Sequence, residues 1–559
     1  MKLLYVELIG QYKGLSDQSF DLSSATGGVL AMIGLNGSGK SQLMELIAEI
    51  FSYLERVKRT DFVTRRHLGF HFRIAYEWME EADPGLVCYV LQYLPKTQLH
   101  AFRSLPSVVA ANDLPSELGQ WLPGEKRELV DVPLPRMIGY ASGLNENLQR
   151  PFMRNALQYY DVMRIRAGRR TELQRADVDE EIAIEINQRY RKRHPRVFGY
   201  ANDLEIDSNP LVTREADTPL PGSIFLDYDC AHLVVGCLGL LFDKDRDGLW
   251  PEISHRHPKI LVLRYDLRNF PIEEDSIRDI KQLIGTLGQD NLVPLSAKVP
   301  DPVYDRYELD YLRAEIVIDF SNAEVVSRLR DTYGEPIRLF WKLYKLQLLG
   351  TKQWTAEAKK FLMRDDFQGH VKKPLKGKLP LSVAELQMSD GIRNIPIDDL
   401  SDGETQLLHT IGAVRLFGQE QTLFLMDEPE THLNPSWRTR YHIDFTNTGI
   451  DPDRSQALIS SHSPFLISSL ERSNVFHFEK IEERTMMTNP DDETFGASFE
   501  VLIKKYFGLR SVISQTAVES IQVVLADASK TKEEKRAWIE ENIGQSIDRV
   551  YLLKSLGVV

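Results

Sequence analysis

The stretch Gly34-Leu35-Asn36-Gly37-Ser38-Gly39-Lys40-Ser41, called here the phosphate loop, decides the fold predicted for this chain. It fits the pattern G-x-x-x-x-G-K-[ST] of a phosphate-binding loop. Residues 29–33 before it are an apolar run, which is typical of a buried strand. After it, apolar side chains recur at helical spacing. We therefore expect a strand, a glycine-rich loop and a helix in succession.

The residue types of the phosphate loop suit a nucleotide. Glycines let backbone N–H groups point inward at φ angles that other residues avoid, and the helix N-terminus adds to this anion cradle. Lys40 would reach the β- and γ-phosphates of ATP, and the Ser41 hydroxyl would ligate Mg²⁺. The expected nucleotide-binding residues are Gly34, Asn36, Gly37, Ser38, Gly39, Lys40 and Ser41. The flanking strand and helix argue against a glycine turn that merely ends in Lys-Ser.

Composition limits the class of protein. The chain has 559 residues, of which 42% are hydrophobic and 27% charged, as in folded globular proteins. Its length predicts two or more structural units. We expect no membrane span, because no stretch approaches about 20 uninterrupted apolar residues. Three isolated cysteines and no signal peptide favour a cytoplasmic location. A net charge of −13 argues against a surface that is basic everywhere.

A second motif, Leu-Ser-Asp-Gly-Glu-Thr-Gln at residues 400–406, opens another predicted helix. Ser401 can cap this helix with Glu404 three residues later. The helix N-terminus therefore offers N–H groups and a hydroxyl to an anion. A simple capping box would be the better interpretation if this motif stood alone.

Two further strand ends carry candidate catalytic groups. The apolar run 422–426 ends in Asp427 and Glu428. Asp427 would hold Mg²⁺ together with Ser41, and Glu428 would orient or deprotonate the attacking water. Residues 457–461 predict a strand that leads to His462, near the expected position of a γ-phosphate. We expect Glu428 and His462 to be catalytic, although a histidine at a strand end is usually structural.

The set GLNGSGKS, LSDGETQ, FLMDEPETHLNP and ISSHSP resembles the ABC-type ATPases of the SMC, RecF and overcoming-lysogenisation branch. LSDGE departs from the LSGGQ of the transporters and is similar to the soluble branch. The resemblance implies an α/β fold: an ABC-type P-loop ATPase head, with a mixed central sheet flanked by helices and an antiparallel β-subdomain, interrupted by a large, mainly helical insertion. The implied segments are residues 1–150 (N-terminal half of the head), 151–380 (insertion), 381–480 (C-terminal half of the head) and 481–559 (helical tail).

The resemblance also implies a site shared between two heads, which sandwich two nucleotides. Four residues of one copy would act on the nucleotide of the other: Ser401, Gly403, Glu404 and Gln406. The expected assembly is a homodimer or a higher even oligomer, with ATP and Mg²⁺ as cofactors. The resemblance is strong for residues 1–60 and 380–470 and weak between them.

Three functions remain open. Among the relatives, the ATPase subunits of Septu-type and restriction-system-associated bacterial defence systems are the most similar, which implies an ATPase that regulates a separate nuclease in anti-phage defence. One alternative is a RecF- or SMC-like DNA-binding ATPase for repair or chromosome maintenance. Another is an ATP-dependent scaffold with little turnover. The basic residues between Arg164 and Arg196, with tyrosines beside them, could bind nucleic acid, or they could form a solvated helix face paired with nearby acidic residues.

Overall fold

The computed structural model describes most of the chain. The described residues are 1–62, 68–80, 85–96, 98–104, 125–142, 148–175, 177–198, 209–211, 218–242, 245, 248–268, 274–300, 309–364, 379–482, 484–509 and 513–556. The strands are β1 (Lys2–Tyr12), β2 (Leu15–Asp21), β3 (Val29–Gly34), β4 (His71–Met79), β5 (Leu86–Tyr93), β6 (His100–Ser104), β7 (Glu125–Arg127), β8 (Arg136–Ala141), β9 (Ser223–Phe225), β10 (His257–Asp266), β11 (Leu292–Pro294), β12 (Arg313–Asp319), β13 (Leu381–Ser389), β14 (Asn394–Pro396), β15 (Thr422–Asp427), β16 (Ser455–Ser460), β17 (Val475–Ile481) and β18 (Arg484–Thr488).

The α-helices follow the same chain order. They are α1 (Lys40–Lys58), α2 (Gln149–Leu173), α3 (Glu180–Arg193), α4 (Tyr228–Cys237), α5 (Glu274–Leu287), α6 (Ala323–Tyr333), α7 (Pro336–Leu348), α8 (Ala356–Leu362), α9 (Asp402–Phe417), α10 (Pro435–Gly449), α11 (Pro464–Ser468), α12 (Phe499–Tyr506), α13 (Gln515–Ala526), α14 (Lys532–Asn542) and α15 (Ile547–Ser555). Among the described helices, none combines the length and apolar character needed to cross a bilayer.

A central sheet of seven strands carries the motifs, in the order β18-β17-β3-β16-β15-β8-β9. Its neighbours pair in parallel except for the antiparallel edge strand β18. All residues of β3, β15 and β16 are buried, as expected for parallel strands covered on both faces. Because parallel strands point the same way, the ends of β3, β15 and β16 meet at one edge of the sheet.

An antiparallel sheet, β2-β1-β4-β5-β6-β7, covers one side of the central sheet. The predicted hairpin of β4 and β5 is present in it. Helix α1 lies between the two sheets, because its Leu46 and Ile50 share one hydrophobic core with Leu30 of β3 and Ile74 of β4. This arrangement fixes the helix that begins at the phosphate loop.

A third sheet, β11-β12-β10-β13-β14, joins residues on both sides of position 380. Strand β10 pairs with β12 on one side and with β13 on the other. The predicted insertion, residues 151–380, is therefore rich in helices but contributes strands to this sheet, and β9 to the central sheet. The overall class, a mixed α/β head with an antiparallel β-subdomain and a helix-rich insertion, is confirmed.

Buried charges hold α1 against α2. Glu49 of α1 pairs with Arg154 of α2, and Arg150 lies 3.2 Å from Glu45. The guanidinium of Arg56 donates to the side-chain oxygen of Asn155 at 2.9 Å. Since buried ion pairs are costly to break, this network keeps the helix after the phosphate loop in register with the start of the insertion.

Candidate nucleotide site

The phosphate loop begins at the end of β3 and has the backbone that its glycines permit. Gly34 has φ +135°, and a Cβ there would lie 2.1 Å from the carbonyl oxygen of Phe478. Gly39 has φ +109° and is the left-handed residue before α1, where a Cβ would lie 2.8 Å from Thr485 Oγ1. Both positions combine a positive φ with close neighbours, so glycine is required there.

Lys40 is 6% exposed and curls back over the phosphate loop. Its Nζ donates to the carbonyl oxygens of Gly34, at 2.8 Å, and Leu35, at 3.1 Å. Burial lowers the pKa of Lys40, and the carboxylates of Glu428 and Asp427 oppose that effect. The ammonium group thus lies inside the phosphate loop. When a nucleotide binds, phosphate oxygens would take the place of the two carbonyl oxygens as its hydrogen-bond partners.

The loop also contains an unsatisfied polar atom. Ser38 Oγ is buried and has no hydrogen-bond partner among the described residues. An orphaned buried hydroxyl calls for a ligand or water. With the buried ammonium of Lys40 and the N-terminus of α1, this hydroxyl fits a bound phosphate chain.

Ser41 and Asp427 meet, although they are far apart in sequence. Ser41 Oγ donates to Asp427 Oδ1 at 3.1 Å. Ser460 Oγ donates to the same oxygen, because Asp427 and Ser460 are register partners at the ends of β15 and β16. A hydroxyl and a carboxylate oxygen are ligands that Mg²⁺ prefers, so the residues present fit this ion.

Glu428 and His462 form the next pair along the edge. Glu428 has φ +50°, a strained angle for a residue with a side chain, and its N–H donates to Ser460 O at 3.1 Å. Its Oε1 lies 3.3 Å from His462 Nε2, and Thr431 Oγ1 donates to its Oε2 at 3.1 Å. Burial, followed by the positive charge of Lys40, lowers the pKa of His462, and Glu428 and Asp427 oppose them. The side chains therefore influence one another electrostatically.

The four residues predicted to act on a second copy lie at the start of α9. Their hydrogen bonds are to other groups than those of the phosphate loop. Ser401 and Glu404 form the capping box: Glu404 Oε2 accepts from Ser401 N at 3.0 Å, and Ser401 Oγ accepts from Glu404 N at 3.4 Å. A Cβ on Gly403 would lie 2.7 Å from His432 O. Gln406 is buried, and its Oε1 accepts from His432 N at 2.8 Å. Three of these residues lie at a helix start, while Gln406 faces the interior of its own chain; action on a second copy stays a prediction.

Sequence reasoning missed residues that shape this edge. Ser460 and Thr431 hold the two carboxylates, and Ser461 Oγ donates to the buried Glu430. Burial raises the pKa of Glu430 to about 7. A signal for Ser460 was present, since it lies at the end of a predicted strand, and the structure pairs that strand with β15. The buried position of Glu430 had no such signal.

The basic region between Arg164 and Arg196 is divided. Arg166, Arg169 and Arg170 of α2 are buried. Arg169 Nε donates to Asn187 of α3 at 2.8 Å, which joins the two helices. The exposed arginines and lysines of this region are Arg164, Arg175, Arg189, Lys192, Arg193 and Arg196. Part of the predicted nucleic-acid surface is therefore interior structure.

Comparison with known families gives a partial match. The model of the family described as "AAA domain, putative AbiEii toxin, Type IV TA system" matches residues 303–468. This range contains Ser401, Asp427, Glu428 and His462 but not the phosphate loop. Protein ea59 of Escherichia phage lambda is 30% identical over 108 residues, which are 19% of this chain and 20% of that protein. The chain thus matches about a fifth of the length of this curated relative.

Solved structures give weak likenesses. The SMC head domain from Thermotoga maritima has a TM-score of 0.30 at 9% identity, covering 88% of this chain and 100% of that one. An SmcHead bound to the C-winged helix domain of ScpA has a TM-score of 0.28 at 10% identity, covering 88% and 98%. At these scores the fold rests on the strand order itself. The phosphate loop and the strand-end carboxylates have the arrangement of a nucleotide site, and residues 303–468 are similar to an AAA domain.

Proposed function

We propose that this protein hydrolyses ATP in a site completed by a second copy of the chain, and that turnover regulates a partner effector. The observation that carries hydrolysis is the convergence of Lys40, Ser41, Asp427, Glu428 and His462 at one edge of the central sheet. A site that only binds a nucleotide would need no more than the phosphate loop. The glutamate and histidine paired beside the loop are suited to proton transfer, which hydrolysis requires.

Each residue has a role in this proposal. Lys40 exchanges its bonds to the loop carbonyls for bonds to phosphate oxygens. Glu428 accepts the proton of the attacking water, and Thr431 and the backbone of Ser460 fix its orientation. His462 Nε2 lies 3.3 Å from Glu428 Oε1, and the imidazole would contact the γ-phosphate of a bound nucleotide. Ser41 and Asp427 would hold Mg²⁺, which would neutralise negative charge on the phosphate oxygens.

The start of α9 supports the proposal of a second copy. Ser401 is exposed, and the N-terminus of its helix offers a positive dipole end to an anion. Residues 400–406 at the start of α9 are called here the Ser401 turn. In the proposed homodimer, or higher even oligomer, the Ser401 turn of one copy closes over the nucleotide held by the other.

We place the protein in bacterial anti-phage defence, with a nuclease as the separate effector. The description of the matched family, which names a toxin of a toxin–antitoxin system, supports an effector-linked ATPase. The test is purification of a tagged Glu428→Gln protein with ATP from its native host. We expect a nuclease subunit to copurify; its absence, with ATP bound, would exclude a stable nuclease complex.

A second candidate is a DNA-binding ATPase of repair type. The exposed cations of α3 and the following turn favour it: Arg189, Lys192, Arg193 and Arg196. DNA binding through phosphates would weaken steeply as salt concentration rises. Binding of duplex DNA by the isolated protein, lost on reversing the charge of Lys192 and Arg193, would favour this candidate over the effector.

The experiment for hydrolysis is phosphate release by wild type and Glu428→Gln. We expect the substitution to lower kcat by roughly 100-fold or more while ATP still binds, because it removes the proton acceptor and keeps the shape. Glu541→Gln removes an exposed carboxylate of α14 and is the matched control. Equal rates for Glu428→Gln and wild type would contradict the assigned role.

A further inference from the structure

A C-terminal segment, residues 494–509, packs beside the nucleotide site, although the sequence analysis assigned it no role. Its helix α12 packs on α11, the short helix that begins directly after His462. The rings of Phe465 and Phe499 are 4.4 Å apart in an edge-to-face contact between these helices. The C-terminal segment is therefore attached to the part of the chain that carries His462.

Phe507, the residue directly after α12, lies against His462. The ring centroids are 5.8 Å apart and the ring planes are inclined by 49°, within the range of interacting aromatic pairs. His462 Nε2 meets Glu428 at 3.3 Å, so the imidazole is held between a carboxylate at one edge and an aromatic ring. Gly508, with φ +66°, then brings the chain to Leu35 of the phosphate loop.

We propose that Phe507 is a positioning residue that holds the His462 imidazole toward Glu428 during ATP turnover. The effect on turnover rests on the proposed ATPase function, whereas the contact between the rings does not. A phenyl ring exchanges no proton with the site. Its contribution is steric, since it restricts the rotamers of His462 and keeps water from one side of the ring.

The chain offers a matched control for this residue. Phe507→Ala and Phe499→Ala each remove a phenyl ring from α12 or its end, but Phe499 packs on Phe465 rather than on His462. We expect Phe507→Ala to lower kcat about tenfold with ATP affinity within about twofold, because misplacing a group near the reaction slows the chemical step more than binding. Phe499→Ala should keep the wild-type kcat, and Phe507→Tyr, which keeps a ring, should restore most of the rate.

A double variant separates positioning from general damage. In a His462→Ala background, Phe507→Ala should cause no further loss of kcat, because its only proposed route of action is already absent. An equal loss in both backgrounds would overturn the proposal. So would a kcat loss in Phe499→Ala as large as that in Phe507→Ala.

A spectroscopic readout keeps the test independent of hydrolysis. In full-length protein labelled with ¹³C at histidine Cε1, the His462 signal, assigned by its loss in His462→Ala, should shift in Phe507→Ala and not in Phe499→Ala. An unmoved signal would overturn the contact and the proposal with it. Absence of wild-type ATP turnover together with the expected shift would instead refute the proposed function and the link to turnover, while leaving the ring contact established.

Discussion

The nucleotide edge of the central sheet and the Ser401 turn are built differently within one chain. At the edge, Lys40 is 6% and Asp427 7% exposed, and their partners come from several strands and loops. At the turn, Ser401 and Glu404 are exposed or half-buried and bond to each other. The first region is preorganised for phosphate and metal within one copy, whereas the second presents a helix N-terminus outward. We therefore expect different mutations to affect nucleotide binding and turnover separately.

The largest expected effect is on nucleotide binding by the edge. Lys40→Ala should weaken ATP affinity roughly 10- to 100-fold, because it removes charge-assisted bonds to phosphate. Isothermal titration calorimetry would measure the affinity, with Lys532→Ala, an exposed lysine of α14, as control. ATP affinity equal to that of wild type would show that the phosphate loop does not hold the phosphates.

The next effect concerns the turn. Ser401→Arg should leave ATP affinity within about twofold and lower kcat at least tenfold, because a bulky cation replaces the surface that meets the second copy. The control is Ser514→Arg, since Ser514 is an exposed N-cap of α13 whose hydroxyl also accepts from a backbone N–H. Similar losses of kcat in both variants would reduce the Ser401 turn to an ordinary helix cap.

The smallest effect concerns a buried group beside the edge. Burial raises the pKa of Glu430 to about 7 from its usual 4.5, so the folded state binds a proton that the unfolded state has released. The corresponding stability is complete below pH 4.5 and is lost as pH rises through 7. Glu430→Gln, a permanent stand-in for the protonated acid, should match the wild-type Tm near pH 5 and exceed it by roughly 2 to 4 °C at pH 8. A constant difference across this range in calorimetry would argue against the raised pKa.

The sequence was sufficient for the elements that motifs and periodicity define. The strand–loop–helix around Lys40 and the strands that end at Asp427 and near His462 are where they were predicted. Apolar runs specify buried parallel strands, and parallel strand ends meet at one edge. Proximity of the motif residues then follows from topology.

The rest depends on contacts between distant segments. Glu45 and Glu49 of α1 are charged but buried, and they pair with Arg150 and Arg154 of α2. A charged residue gives no signal of its burial until its partner's position is known. The pairing of β10 with β13 was also not predicted, because the two strands are far apart in sequence and lie on opposite sides of the expected boundary at residue 380.

The contacts of Ser460 and Phe507 differ in how easily they could be predicted from the sequence. Ser460 ends a strand adjacent to β15, so register alone would have placed its hydroxyl beside Asp427. Phe507 follows an amphipathic helix near the end of the chain, and its contact with His462 depends on how α12 packs on α11. Spacing in the sequence carries no information on that packing.

The most direct test of the central claim is the molar mass of Glu428→Gln with and without ATP and Mg²⁺, measured by light scattering on a size-exclusion column. The account predicts that ATP doubles the mass, because a non-hydrolysed nucleotide is held between two copies, and that the Ser401→Arg, Glu428→Gln double variant binds ATP without doubling. An ATP-bound Glu428→Gln protein whose mass does not change, or equal doubling by the double variant, would contradict a site completed at the Ser401 turn of a second copy.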